Sequence, residues 1–180
     1  MLYSYNQCIE KFGSKYLVKK AVEEGKLFRK EKGVYSDEKY VSSLEIISMK
    51  YPNAIFTLNS AFYYYDLTDT IPQHYYLATG RGAAKIQDKR VIQIFENSDV
   101  LELGITYLER EGCRIKIYDR ERMLVELLRN KNKLSFNYYK EILLNYRKII
   151  EDLDMQVIQD YVYAVPKSEM IMKTMQLEVL

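Results

Sequence analysis

Two short amphipathic helices, separated by a Gly-Ser break, constrain the fold of this chain most. In residues 4–12 the apolar side chains recur three and four positions apart, and in residues 15–24 they again share one side. Gly13 is the residue type that most often follows a helix end, and Ser14 is a good N-cap. The segment therefore predicts two helices joined by a tight turn, each with one buried face.

A basic hairpin follows the second helix. Gly25 closes that helix, and residues 26–30 and 34–35 are typical of strands on either side of a tight turn at residues 31–33. Two helices joined by a short Gly-containing turn indicate a helix-turn-helix, and the hairpin makes it a winged one. We predict a winged helix-turn-helix DNA-binding domain over residues 1–40.

Basic charge is concentrated at the front of the chain. Residues 1–40 hold nine Lys and Arg against six Asp and Glu, whereas residues 41–180 hold 18 against 19. The formal net charge of the whole chain is only +2, which excludes a polycation that coats nucleic acid indiscriminately. A site for nucleic acid must therefore be a local patch.

The predicted DNA contacts lie on the second helix and on the hairpin. A recognition helix enters the major groove by its N-terminal part, and a basic wing lies along phosphates. Two alternatives stay open: the lysines are simply solvated, and Tyr16 packs against the wing. The predicted contact residues are Lys15, Tyr16, Lys19, Lys20, Lys26, Arg29, Lys30 and Lys32.

Residues 41–180 predict a mixed domain, so that the whole chain is α+β. Ser42 caps a helix that ends before Tyr51-Pro52, a short strand follows, and Asn59 or Ser60 caps a further helix. Alternating segments then predict a small, mainly antiparallel sheet, and capped apolar stripes predict C-terminal helices. The strands are expected at 74–79, 91–95, 101–107 and 113–118, and the helices after Asp119, Ser135, Asp154 and Ser168.

The inventory of reactive residues is small. The only histidine is His74, and the two cysteines, Cys8 and Cys113, form no C-x-x-C pair, which removes most zinc sites and most His-dependent catalytic arrangements. The chain has no run of 18 apolar residues and no signal-peptide pattern at the start. We expect a cytoplasmic protein without cofactor, metal or membrane partner, and not an enzyme.

Three further motifs have two interpretations each. The acidic and basic cluster Asp119–Arg122 suits a metal or phosphate site, or a helix cap with structural ion pairs, and we favour the cap. Tyr63–Tyr65 suits a stacking platform for bases, or a helix packed on a sheet, and we favour packing. Gly80-Arg81-Gly82 lacks the remainder of a phosphate-loop motif.

Several short motifs together resemble a known family. They are Phe12-Gly13-Ser14, Glu24-Gly25-Lys26-Leu27, Lys32-Gly33-Val34-Tyr35, Tyr51-Pro52-Asn53-Ala54 followed by Ser60-Ala61, and Asp119-Arg120-Glu121-Arg122 before a Leu-rich helix. In this order and spacing, over most of the chain, they look like AbiEi-type antitoxins of abortive-infection, type IV toxin–antitoxin systems.

The resemblance implies an antitoxin that is also a transcriptional autorepressor. Its winged helix would bind inverted repeats in double-stranded promoter DNA. Residues 41–180, the antitoxin or regulatory domain, would counter a cognate toxin that resembles nucleotidyltransferases, without an obligatory stable complex.

Two other functions remain open from the residues. One is an ordinary winged-helix regulator whose C-terminal domain senses a ligand or mediates dimerisation. The other is an enzyme that acts on nucleic acid through Asp119 and Glu121.

Overall fold

A computed structural model describes residues 1–179, which form an α+β structure with two separate sheets. The α+β class predicted from the sequence is confirmed. The chain divides into two compact units: Met1–Pro52 with Glu111–Cys113, and Asn53–Arg110 with the residues from Arg114 onward. The N-terminal unit thus runs past the 40-residue segment assigned to the winged helix.

The N-terminal unit contains the two predicted helices and the predicted hairpin. A strand that the sequence did not reveal precedes them and pairs with the second hairpin strand, so the three strands form an antiparallel sheet with the second hairpin strand at its centre. The elements are β1 (Leu2–Ser4), α1 (Tyr5–Phe12), α2 (Lys15–Glu23), β2 (Phe28–Glu31), β3 (Val34–Ser36) and α3 (Ser43–Lys50).

One small apolar core holds these elements together. Cys8 of α1, Val18 and Ala21 of α2, and Leu27 before the hairpin are buried against one another. Burial of such side chains contributes roughly 1.5–3 kcal/mol for each large aliphatic residue. The inner face of α2 is therefore fixed against α1 and the hairpin.

The C-terminal unit places a five-stranded sheet together with most of the helices. Helices follow Asp119, Ser135 and Asp154 as predicted, and the last helix begins at Ser168. The elements are β4 (Ile55–Phe56), α4 (Leu58–Tyr64), β5 (Tyr75–Gly80), β6 (Val91–Glu96), α5 (Ser98–Leu101), β7 (Ile105–Arg110), β8 (Cys113–Tyr118), α6 (Arg120–Arg129), α7 (Phe136–Lys148), α8 (Met155–Ala164) and α9 (Ser168–Glu178).

The sheet of this unit is mixed, so the prediction of a mainly antiparallel sheet is wrong. Its order is β6-β5-β4-β8-β7, and β4 pairs antiparallel with β5 but parallel with β8, while β5 and β6 are parallel to each other. An alternating hydrophobic pattern indicates that a segment is a strand, but it does not indicate whether that strand runs parallel or antiparallel to its neighbours. Residues 81–90 carry the chain back across the sheet, and this crossover makes β6 parallel to β5.

Two local predictions are also wrong. The strand expected at 101–107 begins only at Ile105, because Leu101 ends α5 and Gly104 turns the chain at φ 76. Helix α4 is preceded by Thr57 as its N-cap, not by Asn59 or Ser60, which lie inside the helix.

Within residues 1–179, no helix combines the length and the apolar character that crossing a membrane requires.

Candidate nucleic-acid interface

The turn between α1 and α2 is defined by its caps. Ser4 and Gln7 form a capping box at the start of α1, where each side chain accepts from the backbone amide of the other. Gly13 ends α1 at φ 90, a left-handed conformation that suits glycine, and its amide donates to the Ile9 carbonyl across 2.7 Å. The Ser14 hydroxyl then accepts from the Leu17 amide at 3.2 Å and starts α2. Only two residues separate the helices.

The outer face of α2 is basic and exposed. Val18 and Ala21 are buried, whereas Lys15, Lys19 and Lys20 are exposed. Tyr16 is 72% exposed, so its ring does not pack against the hairpin. The start of α2 thus presents a phenol and a lysine, side by side, to solvent.

Three of the predicted lysines form ion pairs on the surface. Lys19 lies 3.7 Å from Glu23, and Lys20 and Lys26 lie 3.8 Å and 2.7 Å from Glu24. Exposed pairs of this kind stabilise a protein by roughly 0–1 kcal/mol, because water and salt screen them. The three ammonium groups therefore remain available to a polyanion, which competes with the weakly held glutamates.

The hairpin presents two exposed cations. Its strands pair Arg29 with Tyr35 and Glu31 with Val34, and the extra residue on β2 forms a bulge. Arg29 and Lys32 are exposed, and neither is ion-paired within the described part of the chain. They are the side chains of the hairpin best suited to contact phosphates.

Lys30 and Glu31 are turned to other partners. The Lys30 ammonium donates to the Lys39 carbonyl at 2.6 Å and lies 5.3 Å from the ring centroid of Phe28. Glu31 accepts from the Lys50 ammonium at 3.0 Å. Lys50 lies outside the predicted set, and no sequence pattern links it to a residue 19 positions earlier.

The eight predicted contact residues thus fall into distinct groups. Lys15 and Tyr16 lie at the start of α2, Arg29 and Lys32 lie on the hairpin, and all four are exposed. Lys19, Lys20 and Lys26 carry weak surface pairs, and Lys30 is half-buried against its own unit.

In the C-terminal unit, Asp119 is a helix cap, which is the interpretation that we favoured. One carboxylate oxygen accepts from the Arg122 amide at 2.7 Å, and the other accepts from the Tyr161 hydroxyl at 2.9 Å. Burial raises the pKa of this carboxyl above its usual range, although both hydrogen bonds act in the opposite direction. Glu121 accepts from the Asp154 amide at 3.2 Å and so holds the start of α8.

Arg122 is the centre of a buried ionic network. Its guanidinium is fully buried, donates twice to Glu126 at 2.9 and 3.1 Å, and donates to the Val100 carbonyl at 2.8 Å. Arg129 donates to Glu126 at 2.9 Å and to Glu96 at 3.2 Å. These groups satisfy one another and join α6 to the end of β6. The spacing Arg122, Glu126, Arg129 places the three residues on one helix face.

The other two motifs are also structural. Tyr64 is buried with its ring edge-on to Phe56, and the Tyr65 hydroxyl donates to the Tyr118 carbonyl at 2.7 Å. Gly80 is the last residue of β5, and the segment after it begins no helix before β6.

A polar cleft of about 500 Å³ lies at the start of α7. Lys133, Ser135, Asn137, Tyr138 and Glu141 contribute to its lining. The Tyr138 hydroxyl is buried without a hydrogen-bond partner among the described residues.

Residues 1–179 contain no group of three His, Cys, Asp or Glu side chains placed to hold a metal ion. Comparisons of the chain with models of protein families and with curated proteins find no match.

Proposed function

We propose that the N-terminal unit is a winged helix that binds duplex DNA, with α2 as the recognition helix and the β2–β3 hairpin as the wing. The observation that carries the proposal is the basic outer face of α2, followed directly by a hairpin that exposes Arg29 and Lys32. The sheet order β1-β3-β2 supports it, because β1 leads into α1 and so ties the hairpin to the two helices. Because the helix and the wing are fixed to each other, α2 can enter a groove of the DNA while the hairpin contacts the phosphates beside that groove.

Phosphate contacts dominate this interface. Helix α2 has no Arg, Asn or Gln to make the bidentate pairs with guanine or adenine. Lys15 and Tyr16, at its start, are the side chains that reach base edges, and the shape of the DNA supplies further selectivity.

The salt dependence of binding to the protein's own promoter tests this proposal. For full-length protein we expect log Kd to rise linearly with log salt, and the Lys15→Ala/Arg29→Ala/Lys32→Ala variant to lose about one unit of slope per contact removed. The control is Lys140→Ala/Lys167→Ala/Lys173→Ala, which removes the same charge from exposed positions of the other unit. A slope near zero, or equal losses in both triple variants, contradicts DNA binding by this face.

We further propose that the protein is the antitoxin and autorepressor of a toxin–antitoxin operon. The order and spacing of the short motifs, which resemble AbiEi-type antitoxins, support this proposal. The inverted repeats of the operon promoter are the expected DNA, and a nucleotidyltransferase-like toxin is the expected functional partner.

Co-expression with a neighbouring nucleotidyltransferase-like toxin tests the antitoxin proposal. The full chain should restore growth and repress a promoter reporter. The Lys15→Ala/Arg29→Ala/Lys32→Ala variant should restore growth and fail to repress, because the two activities lie in different units. Failure of the full chain to restore growth contradicts the antitoxin proposal and leaves DNA binding as a separate question.

The polar cleft favours a second candidate, a ligand-sensing winged-helix regulator. Its volume suits a small molecule, and the Tyr138 hydroxyl lacks a partner within residues 1–179. Thermal-shift screening of small polar metabolites tests this candidate: a stabilising compound whose effect disappears in Lys133→Met supports it, and the absence of any such compound contradicts it.

A further inference from the structure

Strand β6 forms one edge of the five-stranded sheet and pairs only with β5. The Arg90 carbonyl accepts from the Tyr75 amide at 2.7 Å, and the Glu96 carbonyl accepts from the Arg81 amide at 3.0 Å. The backbone N–H and C=O groups of successive residues in a strand point to opposite sides, so those of the even-numbered residues of β6 point toward β5. The N–H and C=O groups of Val91, Gln93 and Phe95 therefore point away from the sheet.

Most of these outward groups are unpaired. The Val91 amide donates to the Asp88 carbonyl at 3.0 Å. The backbone groups of Gln93 and Phe95 have no hydrogen-bond partner within residues 1–179. They form a short row of donors and acceptors ready to receive another strand.

The edge also lacks two features that usually protect such strands, charged side chains and proline. Residues 91–95 contain no charged residue and no proline, and Val91, Ile92 and Ile94 are only partly buried. Phe95 is 45% exposed. Natural edge strands are normally blunted by lysine, proline or a covering element, because an apolar edge recruits other chains.

The sequence of the edge is complementary to itself. Residues 91–95 read Val-Ile-Gln-Ile-Phe, which is almost a palindrome. In an antiparallel alignment centred on Gln93, Val91 of one copy lies opposite Phe95 of the other, and Ile92 lies opposite Ile94. At the two ends Arg90 lies opposite Glu96. Each of them is already ion-paired within its own chain, Arg90 with Asp88 and Glu96 with Arg129, and no like charges meet.

The same alignment uses the unpaired backbone groups. The two Gln93 residues exchange a pair of N–H···O=C bonds across the two-fold axis, and each Phe95 amide donates to the Val91 carbonyl of the other copy. The Val91 amide, which is already bonded within its own chain, is not needed.

From this geometry we infer that two copies of the chain associate through β6, antiparallel and centred on Gln93, to form a continuous ten-stranded sheet. The occupant of the edge is a second copy, because the alignment places apolar residues opposite apolar residues and pairs the outward backbone groups of Gln93 and Phe95. The contact is isologous, as closed two-fold dimers require. The dimer rests on this edge alone and does not depend on DNA binding.

Analytical ultracentrifugation of the full chain without DNA tests the interface. We expect a species of twice 21.4 kDa that dissociates on dilution. Phe95→Lys should produce a monomer, because it places a charge on the apolar edge. Tyr107→Lys is the matched control on β7, the opposite edge, where Tyr107 is 55% exposed, and it should stay dimeric. Circular dichroism confirms that both variants are folded.

Two further measurements test the register. In Gln93→Cys the new thiols face each other at a Cα separation of about 5.5 Å and should form a disulfide between copies. In Phe95→Cys they lie about 14 Å apart along the strands and should not. The Gln93 and Phe95 amides of the unmodified protein should exchange with deuterium more slowly as the protein concentration rises.

Several outcomes overturn the inference. They are a monomer at every concentration, a dimer that survives Phe95→Lys, a dimer lost in Tyr107→Lys, and cross-linking of Phe95→Cys in preference to Gln93→Cys. A different protein bound at β6 while the chain itself stays monomeric also overturns it. Each is read without promoter DNA, so failure here is distinct from failure of the DNA-binding proposal.

Discussion

The ammonium group of Lys50 donates to the carboxylate of Glu31 across 3.0 Å and so joins α3 to the β2–β3 hairpin. Their side chains are 26% and 27% exposed. The negative charge of Glu31 in the hairpin is thereby balanced by Lys50, which lies outside the hairpin. The positive charge that the hairpin presents comes from Arg29 and Lys32.

Removing the charge of Lys50 and removing the charge of Glu31 should change the affinity for DNA in opposite directions. Lys50→Met removes a positive charge beside the hairpin and should weaken promoter binding, whereas Glu31→Gln removes a negative charge there and should strengthen it. The free energy of unfolding should fall by only about 1 kcal/mol or less in each, because the pair is partly exposed. Titration of a labelled promoter fragment measures the affinities, and shifts of the same sign in both variants contradict this prediction.

The buried network around Arg122 should be sensitive to removal of its base. Arg122→Met leaves Glu126 buried with Arg129 as its remaining cationic partner, and loss of one member of a buried pair costs about 3–5 kcal/mol. Arg120→Met, two positions away and exposed, is the control and should change stability little. Urea unfolding followed by circular dichroism measures both, and equal midpoints would refute a structural role for the network.

Gly104 is a position where a side chain does not fit. A Cβ there would lie 2.7 Å from the Cβ of Arg122, and the backbone has φ 76. Gly112 has a similar φ of 74 but open space around it within the described residues. Gly104→Ala should therefore lower the melting temperature by several degrees more than Gly112→Ala, which carries only the backbone strain of about 1 kcal/mol. Differential scanning calorimetry compares the two, and equal losses would show that the close approach has no energetic consequence.

The carboxylate of Glu178 should make the free energy of unfolding depend on pH in the acidic range. Burial raises its pKa, but hydrogen bonds from Lys131 and Tyr139 outweigh burial and hold the pKa below its ordinary 4.5. The unfolded chain then binds this proton more readily, so the stabilisation is present above pH 4.5 and is lost as the pH falls below that value. Glu178→Gln should lower the urea midpoint at pH 7, and the difference from the unmodified protein should shrink as the pH falls below 4.5.

Exposed Glu169, on the same helix, provides the control for that prediction. Glu169→Gln should leave the pH dependence of the urea midpoint unchanged. If the difference in urea midpoint between Glu178→Gln and the unmodified protein stays constant from pH 7 to pH 3, the pH dependence does not come from Glu178.

Local sequence signals predicted the helices better than the sheets. Ser14 and Asp119 were identified as caps because capping depends on residues within one turn. Strand β1 was missed because three residues carry no usable periodicity, and it exists through pairing with β3 more than 30 positions later. The Lys50–Glu31 pair and the parallel neighbours β5 and β6 were missed for the same reason: tertiary contacts, not local propensity, create them.

The two-residue strand β4 has a consequence for the order of folding. It lies in the middle of its sheet, between β5 and β8, and Phe56 pairs with Ile117 across 61 positions of sequence. During synthesis the sheet therefore stays open on one side until Tyr118 has left the ribosome, whereas every element of the N-terminal sheet is present once Ser36 has emerged. Because long-range pairing forms slowly, the larger sheet is completed late. Until then the apolar strands β5 and β6 of the nascent chain lack the rest of their sheet.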